Sequence, residues 1–139
     1  LWWLLFSFRG RLKRGTFWVG LLLTFLLWAA CTLPLASTLI TLRGIKPPDQ
    51  EAINVLAAIL LVANAVNLWM LLAICAKRWH DRDKSGWWTL VLCVPVAGAI
   101  YWFVDAGCRR GTVGANRFGP DPTRVPRTAV ETLHATERR

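Results

Sequence analysis

Residues 78–88 form the stretch in which residue types and spacing come nearest to chemistry. His80 stands beside Asp81, with an arginine on either side of the pair. A histidine–carboxylate pair works as a general acid or base only where a nucleophile, a metal or a substrate proton lies within reach. The one other histidine, His134, lies in a polar tail. We therefore favour a structural hydrogen-bond network of His80 with Arg78 and Asp81 over catalysis.

A second stretch, residues 6–18, contains four basic residues with aromatic residues on either side of them. Arg11 and Arg14 are three residues apart and would share a face if the stretch is helical. Arginine makes bidentate contacts with phosphate, which suits a lipid headgroup. The alternative is that these cations only anchor the chain and set its topology. The candidates for headgroup or anion contacts along the whole chain are Arg11, Arg14, Arg78, Arg82, Asn116 and Arg117.

A third stretch, residues 111–122, is rich in glycine but does not match a dinucleotide or mononucleotide fingerprint. Its glycines have the wrong spacing, no strand is predicted before them, and no Gly-Lys-Ser/Thr follows. Asn116 and the Gly119-Pro120 pair favour turns. We expect a turn-rich plug with Phe118 at the membrane interface. The alternative is an anion site built from successive backbone N–H groups and Arg117.

The remaining reactive residue types predict no metal site, cofactor or catalytic residue. Of the four cysteines, Cys31, Cys75 and Cys93 lie in uncharged runs, and no CxxC or Cys/His spacing occurs. Small packing residues of the bilayer are the interpretation that fits them.

Three long uncharged runs must position these stretches. Residues 15–42, 52–76 and 85–104 contain no Asp, Glu, Lys, Arg or His. A membrane-spanning helix needs roughly 20 mostly apolar residues. The chain is 55% hydrophobic and 18% charged, which argues against a soluble enzyme, a disordered chain and a secreted disulfide scaffold. The predicted fold is an all-α integral membrane bundle of three hydrophobic helices, spanning about 16–42, 52–76 and 87–104.

The rest of the chain frames this bundle. Residues 1–14 are predicted to lie as an interfacial segment on the membrane, and a Gly/Pro-rich extension follows the third run. One domain covers residues 1–122, and the basic tail 123–139 is expected to be disordered. Ser85 is the predicted N-cap of the third helix.

Asn64 and Asn67 give the second run a polar patch, because residues three apart are neighbours on a helix face. We expect hydrogen bonds between helices rather than a solute path, since no ionisable residue accompanies them.

The distribution of positive charge gives the orientation. Four Lys and Arg precede the first run, two lie in the first connection, four in the second, and seven follow the third run. When only cations near the spans are counted, three spans put 8 Lys and Arg on the N-terminal side of the membrane and 5 on the other side. This excess favours a cytoplasmic N-terminus with an exterior tail. A re-entrant third run would instead place 15 against 2, but it needs non-helical backbone at membrane depth. Three spans are the preferred prediction.

The three stretches, in this order, resemble a family of small bacterial inner-membrane proteins of the YhaH/YhaI type, domain of unknown function 805. The resemblance covers about residues 6–122 and implies a compact helical domain in the bacterial inner membrane, with no established reaction. Trp79 departs from the family, where Leu is common before His-Asp. The residues that carry the resemblance are Phe6, Phe8, Gly10, Phe17, Trp18, His80, Asp81, Ser85, Gly86, Trp87, Trp88, Pro95, Gly98, Gly111, Thr112, Gly114, Phe118, Gly119 and Pro120.

The sequence favours a non-enzymatic structural, accessory or lipid-contacting role. The alternatives are a small oligomeric transporter or channel component, and a membrane enzyme that acts on lipid through His80 and Asp81. The expected partners are anionic membrane lipids, with a homo-oligomer or another membrane protein as further options and no nucleic acid.

Overall fold

The structure is a computed structural model and describes residues 2–44 and 49–123. The chain is helical over most of this length, and the extended structure among the described residues is one antiparallel bridge between Asn116 and Gly119. The predicted all-α class is therefore confirmed. In chain order the elements are α1 (Trp2–Phe6), α2 (Arg14–Gly44), α3 (Gln50–Asp81), a 3-10 helix (Gly86–Cys93), α4 (Ala97–Trp102) and a π-helical turn (Phe103–Cys108).

Helices α2 and α3 contain the first two predicted spans and pack against each other. They have 31 and 32 residues, and both are long and apolar enough to cross a membrane. At 1.5 Å per residue each is about 45 Å long, against about 30 Å of hydrocarbon. The surplus in α3 lies partly at its end, where the helix continues through Lys77 and Arg78 to Asp81.

The third uncharged run does not form a continuous helix. The 3-10 helix ends at Cys93, and α4 begins at Ala97 after a short break. A Cβ atom on Gly98 would lie 1.8 Å from the carbonyl oxygen of Val91, so the two limbs touch and only glycine fits between them. We call residues 86–108 the hairpin.

The ends of the hairpin meet, which a membrane-spanning segment does not allow. Lys84 Nζ, just before the hairpin, lies 2.6 Å from Asp105 Oδ2 near its end. The predicted three-helix bundle is therefore not confirmed, and the described residues contain two helices of membrane-spanning length. The preferred arrangement, which puts residues 1–14 and the C-terminal extension on opposite sides, is likewise not confirmed. Arg11 Nη1 donates to the carbonyl oxygen of Gly114 at 2.6 Å.

The buried core lies where the start of α2 packs beside the last turns of α3, next to the hairpin. Their far halves carry exposed apolar side chains such as Leu61 and Ile40, which are 73% and 72% exposed. Apolar side chains of this kind are suited to contact with lipid. The core residues are Leu5, Leu12, Phe17, Met70, Ile74, Cys75, Trp79 and Ala106.

Candidate functional site: the cationic end

Asp81 lies at the centre of the end where the chain segments meet. Its Oδ1 accepts from Arg11 Nε at 3.1 Å, and its Oδ2 accepts from Arg78 Nη1 at 2.5 Å. All three residues are at most 5% exposed. Two arginines thus share one buried carboxylate. We call the contacting residues 9–14, 77–84 and 105–121 the cationic end.

The remaining donors of Arg11 bind the glycine-rich extension. Besides its bond to Gly114, its Nη2 donates to the carbonyl oxygen of Thr112 at 2.6 Å. The backbone N–H of Thr112 in turn donates to the carbonyl oxygen of Asp81 at 2.8 Å. Gly111 is needed beside this contact, because a Cβ atom there would lie 1.9 Å from Asp81 Oδ2. Arg11 therefore joins all three sequence stretches at one point.

Arg78 fastens the same end from the side of α3. Its Nε donates to the carbonyl oxygen of Ala106 at 2.5 Å, and its Nη1 donates to that of Leu12 at 3.2 Å. A further bond runs from its Nη2 to the carbonyl oxygen of Arg109. The guanidinium groups of Arg11 and Arg78 thus donate to acceptors within the protein. These two headgroup candidates therefore hold the fold together instead of facing a lipid.

Lys77 is a buried cation that sequence reasoning did not single out. Its Nζ donates to the carbonyl oxygens of Trp3 and Leu4, at 2.7 and 2.5 Å, and lies 4.6 Å from the centre of the Trp3 ring. The last carbonyl oxygens of a helix have no N–H partner within the helix, and a lysine can donate hydrogen bonds to them. Lys77 thereby holds the short helix α1 against α3.

Asp105 forms a second charge centre, also missed from the sequence. It accepts from Lys84, from Arg109 at 3.0 Å and from Arg82 at 3.3 Å. Burial alone would raise the pKa of Asp105, but the bonds from Lys84 and Arg109 outweigh it and lower that pKa below its ordinary 3.8. The available signal was one acid directly after a 20-residue uncharged run.

Lys84 is surrounded by aromatic rings as well as by Asp105. Its Nζ lies 4.9 to 5.4 Å from the ring centres of Trp79, Trp88 and Tyr101, and it donates to Tyr101 Oη at 2.7 Å. Burial alone would lower the pKa of Lys84, but the bonds to Asp105 and Tyr101 outweigh it and raise that pKa above 10.5. These contacts close the hairpin at its base.

His80 has a structural position next to, not within, the Arg78–Asp81 pair. Its Nδ1 lies 3.2 Å from the carbonyl oxygen of Gly10, and its ring stacks on Phe118 with centres 3.9 Å apart. The predicted network of His80 with Arg78 and Asp81 is therefore wrong in its partners. Among the described residues, no group of three or more His, Cys, Asp or Glu is placed to hold a metal ion.

The other four headgroup candidates lie nearer the surface. Arg14 donates to the carbonyl oxygen of Cys108 at 2.9 Å, and Arg82 donates to that of Arg110. Arg117 pairs with the exposed Asp83 at 3.3 Å. Asn116 Nδ2 donates to the carbonyl oxygen of His80 at 2.8 Å. Headgroup binding by these residues stays a prediction.

Several local expectations are confirmed. Ser85 is the N-cap, although of the 3-10 helix, and its hydroxyl accepts from Trp87 N at 3.5 Å. Beside Ser85, a Cβ atom on Gly86 would lie 2.8 Å from that of Ala76, so the structure adds a reason for glycine at this position. Phe118 N donates to Asn116 Oδ1 at 2.9 Å, which makes the predicted turn.

Asn64 and Asn67 of the second run bond to α2. Asn67 Nδ2 donates to the carbonyl oxygen of Thr24 at 3.0 Å, and Asn64 Oδ1 accepts from Trp28 Nε1 at 3.0 Å. The predicted hydrogen bonds between helices are therefore confirmed.

A cleft of about 310 Å³ opens in the cationic end beside the start of α2. Three cations from two distant segments lie on its walls. The lining residues are Lys13, Arg14, Gly15, Asp81, Arg110, Gly111, Thr112, Val113, Asp121 and Thr123.

Comparison with known proteins matches the same three stretches. The family described as "Protein of unknown function (DUF805)" matches residues 5–120. The chain belongs to this family. It is 33% identical to the inner membrane protein YhaH of Escherichia coli K12 over 86% of this chain and 90% of the relative. It is 31% identical to the inner membrane protein YhaI of the same strain, over 84% and 86%.

Membership of the family indicates where the protein is located but not which activity it has. The uncharacterized protein YiiR of Escherichia coli K12 is 30% identical over 84% of this chain and 86% of the relative. No solved structure matches the chain. The relatives' names and the two long apolar helices confirm the predicted location in the bacterial inner membrane.

Proposed function

We propose that this DUF805 member is a non-enzymatic, structural membrane protein whose cationic end contacts the anionic lipids of the cytoplasmic leaflet. The observation that carries the proposal is that cations from three separate segments meet at one end of α2 and α3. Near the spans, eleven Lys and Arg of the described residues lie at this end, while Arg43 lies at the other. Cytoplasmic flanks of membrane helices carry this excess of positive charge.

The hairpin supports a two-span arrangement in this proposal. We place the hairpin in the cytoplasmic leaflet, entering and leaving on the cytoplasmic side. Trp87, Val96 and Ile100 are 78%, 74% and 60% exposed, and lipid is the apolar surface available to cover them. This arrangement also gives residues 9–14 and the C-terminal extension the same side of the membrane.

The bonding of the polar groups favours a structural role over a catalytic one. Asp81 is shared by two buried arginines, and His80 is held between Gly10 and Phe118. A general base must be free to take a substrate proton, whereas each oxygen of Asp81 accepts from an arginine and His80 Nδ1 contacts a backbone carbonyl.

The experiment is native mass spectrometry of the full chain purified from bacterial membranes. We expect phosphatidylglycerol to be retained in preference to zwitterionic lipid at low salt, with the preference falling as salt rises. Equal retention of both lipids at low salt would overturn the proposal. His80→Ala provides the test against lipid chemistry, since a changed membrane lipid profile with intact folding would favour the enzyme alternative.

A further inference from the structure

The cleft beside α2 has a cationic wall made by two segments that are distant in sequence. Lys13 and Arg14 come from the start of α2, and Arg110 comes from the extension, with all three side chains exposed. Within residues 2–44 and 49–123, the ion pairs formed do not involve any of these three side chains. The only hydrogen bond from the Arg14 guanidinium among those residues goes to the carbonyl oxygen of Cys108.

Two carboxylates also line the cleft, and both are already bonded. Asp81 is shared between Arg11 and Arg78. Asp121 accepts from the N–H of Gly114 at 2.9 Å, and from the N–H and hydroxyl of Thr123 at 2.9 and 2.6 Å. The charge of Asp81 is offset by its two arginines, whereas the neutral donors to Asp121 leave its charge in place. The three cations of the cleft therefore outnumber its one uncompensated carboxylate, and the net charge that an incoming group meets is positive.

The cleft has a suitable size and position for a small anion. Its 310 Å³ corresponds to the liquid volume of about ten water molecules. It opens where the uncharged run of α2 begins, one turn before Phe17 and Trp18, and interfacial aromatics of this kind sit at headgroup level.

We propose that this cleft binds a phosphate group, with Lys13 and Arg110 as its principal ligands and Arg14 beside them. The proposal rests on the proposed function for its position at the membrane surface. Two guanidinium forks and one ammonium supply charge-assisted donors to phosphate oxygens, and such bonds are stronger than neutral ones. The phosphate belongs either to a lipid headgroup or to a free phosphate ion, and the experiment separates the two.

The test uses the full chain in nanodiscs and two probes. The first probe is phosphatidylglycerol in a phosphatidylcholine nanodisc, and the second is inorganic phosphate added to a pure phosphatidylcholine nanodisc. The variant is Lys13→Gln with Arg110→Gln. The matched control is Arg9→Gln with Arg109→Gln, which removes the same charge from the cationic end, leaves the lining of the cleft intact and changes none of the six headgroup candidates.

We expect the cleft variant to bind at least one probe roughly tenfold or more weakly, because two charge-assisted ligands are lost. The control should stay within about twofold of the wild type, since surface charges contribute little individually. Loss of only phosphatidylglycerol binding identifies a headgroup site, and loss of phosphate binding identifies a site for the free ion. Equal loss in both variants, or no loss in the cleft variant, would overturn the cleft proposal.

The outcome for the proposed function is read separately. If the wild type prefers phosphatidylglycerol but the cleft variant does so equally, the cleft proposal fails and the proposed function stands. If the wild type binds phosphate without any preference for phosphatidylglycerol, the cleft proposal stands and the proposed function fails. Binding of neither probe by the wild type overturns both.

A measurement on the wild type keeps the proposal testable if the double variant does not fold. Phosphate should protect Lys13 from an amine-acylating reagent at concentrations that leave the labelling of Lys84 unchanged, because Lys84 is outside the cleft and held by Asp105. Phosphatidylglycerol in the nanodisc should give the same protection if the site takes a headgroup, and unchanged labelling of Lys13 with both probes would count against the site.

Discussion

A single carboxylate with two buried arginines makes Asp81 the residue on which the cationic end depends. Replacing Asp81 by Asn keeps the shape of the side chain but leaves Arg11 and Arg78 without their shared negative charge. Breaking a buried pair by removing one partner costs about 3–5 kcal/mol. We therefore expect Asp81→Asn to lower the thermal unfolding midpoint in detergent strongly, or to prevent accumulation of folded protein.

Asp83→Asn is the matched control for this prediction. Asp83 is two residues away and pairs with Arg117, but both side chains are about half exposed. Exposed pairs contribute at most about 1 kcal/mol. Asp83 also has a φ of 55°, a conformation that Asn tolerates. A loss of stability in Asp83→Asn equal to that in Asp81→Asn would contradict the central position of Asp81.

At the residue scale the sequence indicated which side chains matter but not what they contact. Arg11 and Asp81 stood in separate stretches, 70 residues apart, and lie 3.0 Å from each other. A basic residue at a membrane edge has the same local pattern whether it turns outward to a headgroup or inward to a carboxylate. The inward choice depends on how α3 and the extension pack, and one-dimensional spacing does not contain that information.

At the element scale, the hairpin shows that composition alone does not distinguish a membrane-spanning helix from a folded-back segment. Its uncharged length equals that of a span, and Pro95 and Gly98 were the local signs of a break. The first two spans were predictable because each continuous helix satisfies its own backbone. The hairpin depends instead on contacts between its limbs and on the Lys84–Asp105 pair, which are both tertiary.

The contact between Gly98 and Val91 predicts a strong effect of a single methyl group. In Gly98→Ala the new Cβ meets backbone that has no flexible end to move, so the limbs must separate. Overpacking of this kind costs about 1–3 kcal/mol or more. We expect a clear fall in the thermal unfolding midpoint. Gly15→Ala is the control, since nothing lies within 4 Å of a Cβ there, and equal midpoints in both variants would refute the contact.

The base of the hairpin predicts a dependence of stability on pH. The pKa of Asp105 is lowered in the folded protein, so its contribution is present above pH 3.8 and is lost as the pH falls through the folded pKa. The pKa of Lys84 is raised, so its contribution is present below pH 10.5 and is lost as the pH rises through the folded pKa.

Unfolding midpoints of the wild type and of Asp105→Asn between pH 2 and 7 check the acidic limb. The wild type should lose stability towards low pH, and the variant should show a lower plateau with a smaller acid loss. Parallel curves for the two proteins would mean that Asp105 does not contribute to the acid dependence.

For the whole molecule, the contact between the two ends of the hairpin changes how many Lys and Arg fall on each side of the membrane. That number predicts the orientation of the chain. The three-span alternative separates residues 9–14 from the extension and divides the cations almost evenly. With the extension bound to Arg11, the cationic segments lie together, and 15 of the 17 Lys and Arg fall on one side if the tail follows them. Charge bias of this size strongly favours one orientation, with that side in the cytoplasm.

The resulting prediction is that both ends of the chain are cytoplasmic and the connection between α2 and α3 is periplasmic. A reporter that is active only outside the cytoplasm should be active when inserted between Lys46 and Pro47 and inactive when fused after Arg139. A cytoplasm-active reporter at the same two positions should show the opposite pattern and controls for expression. Three spans require the Arg139 fusion to be external. An external tail would therefore place the hairpin across the membrane, which its closed base at Lys84 and Asp105 does not permit without breaking a 2.6 Å ion pair.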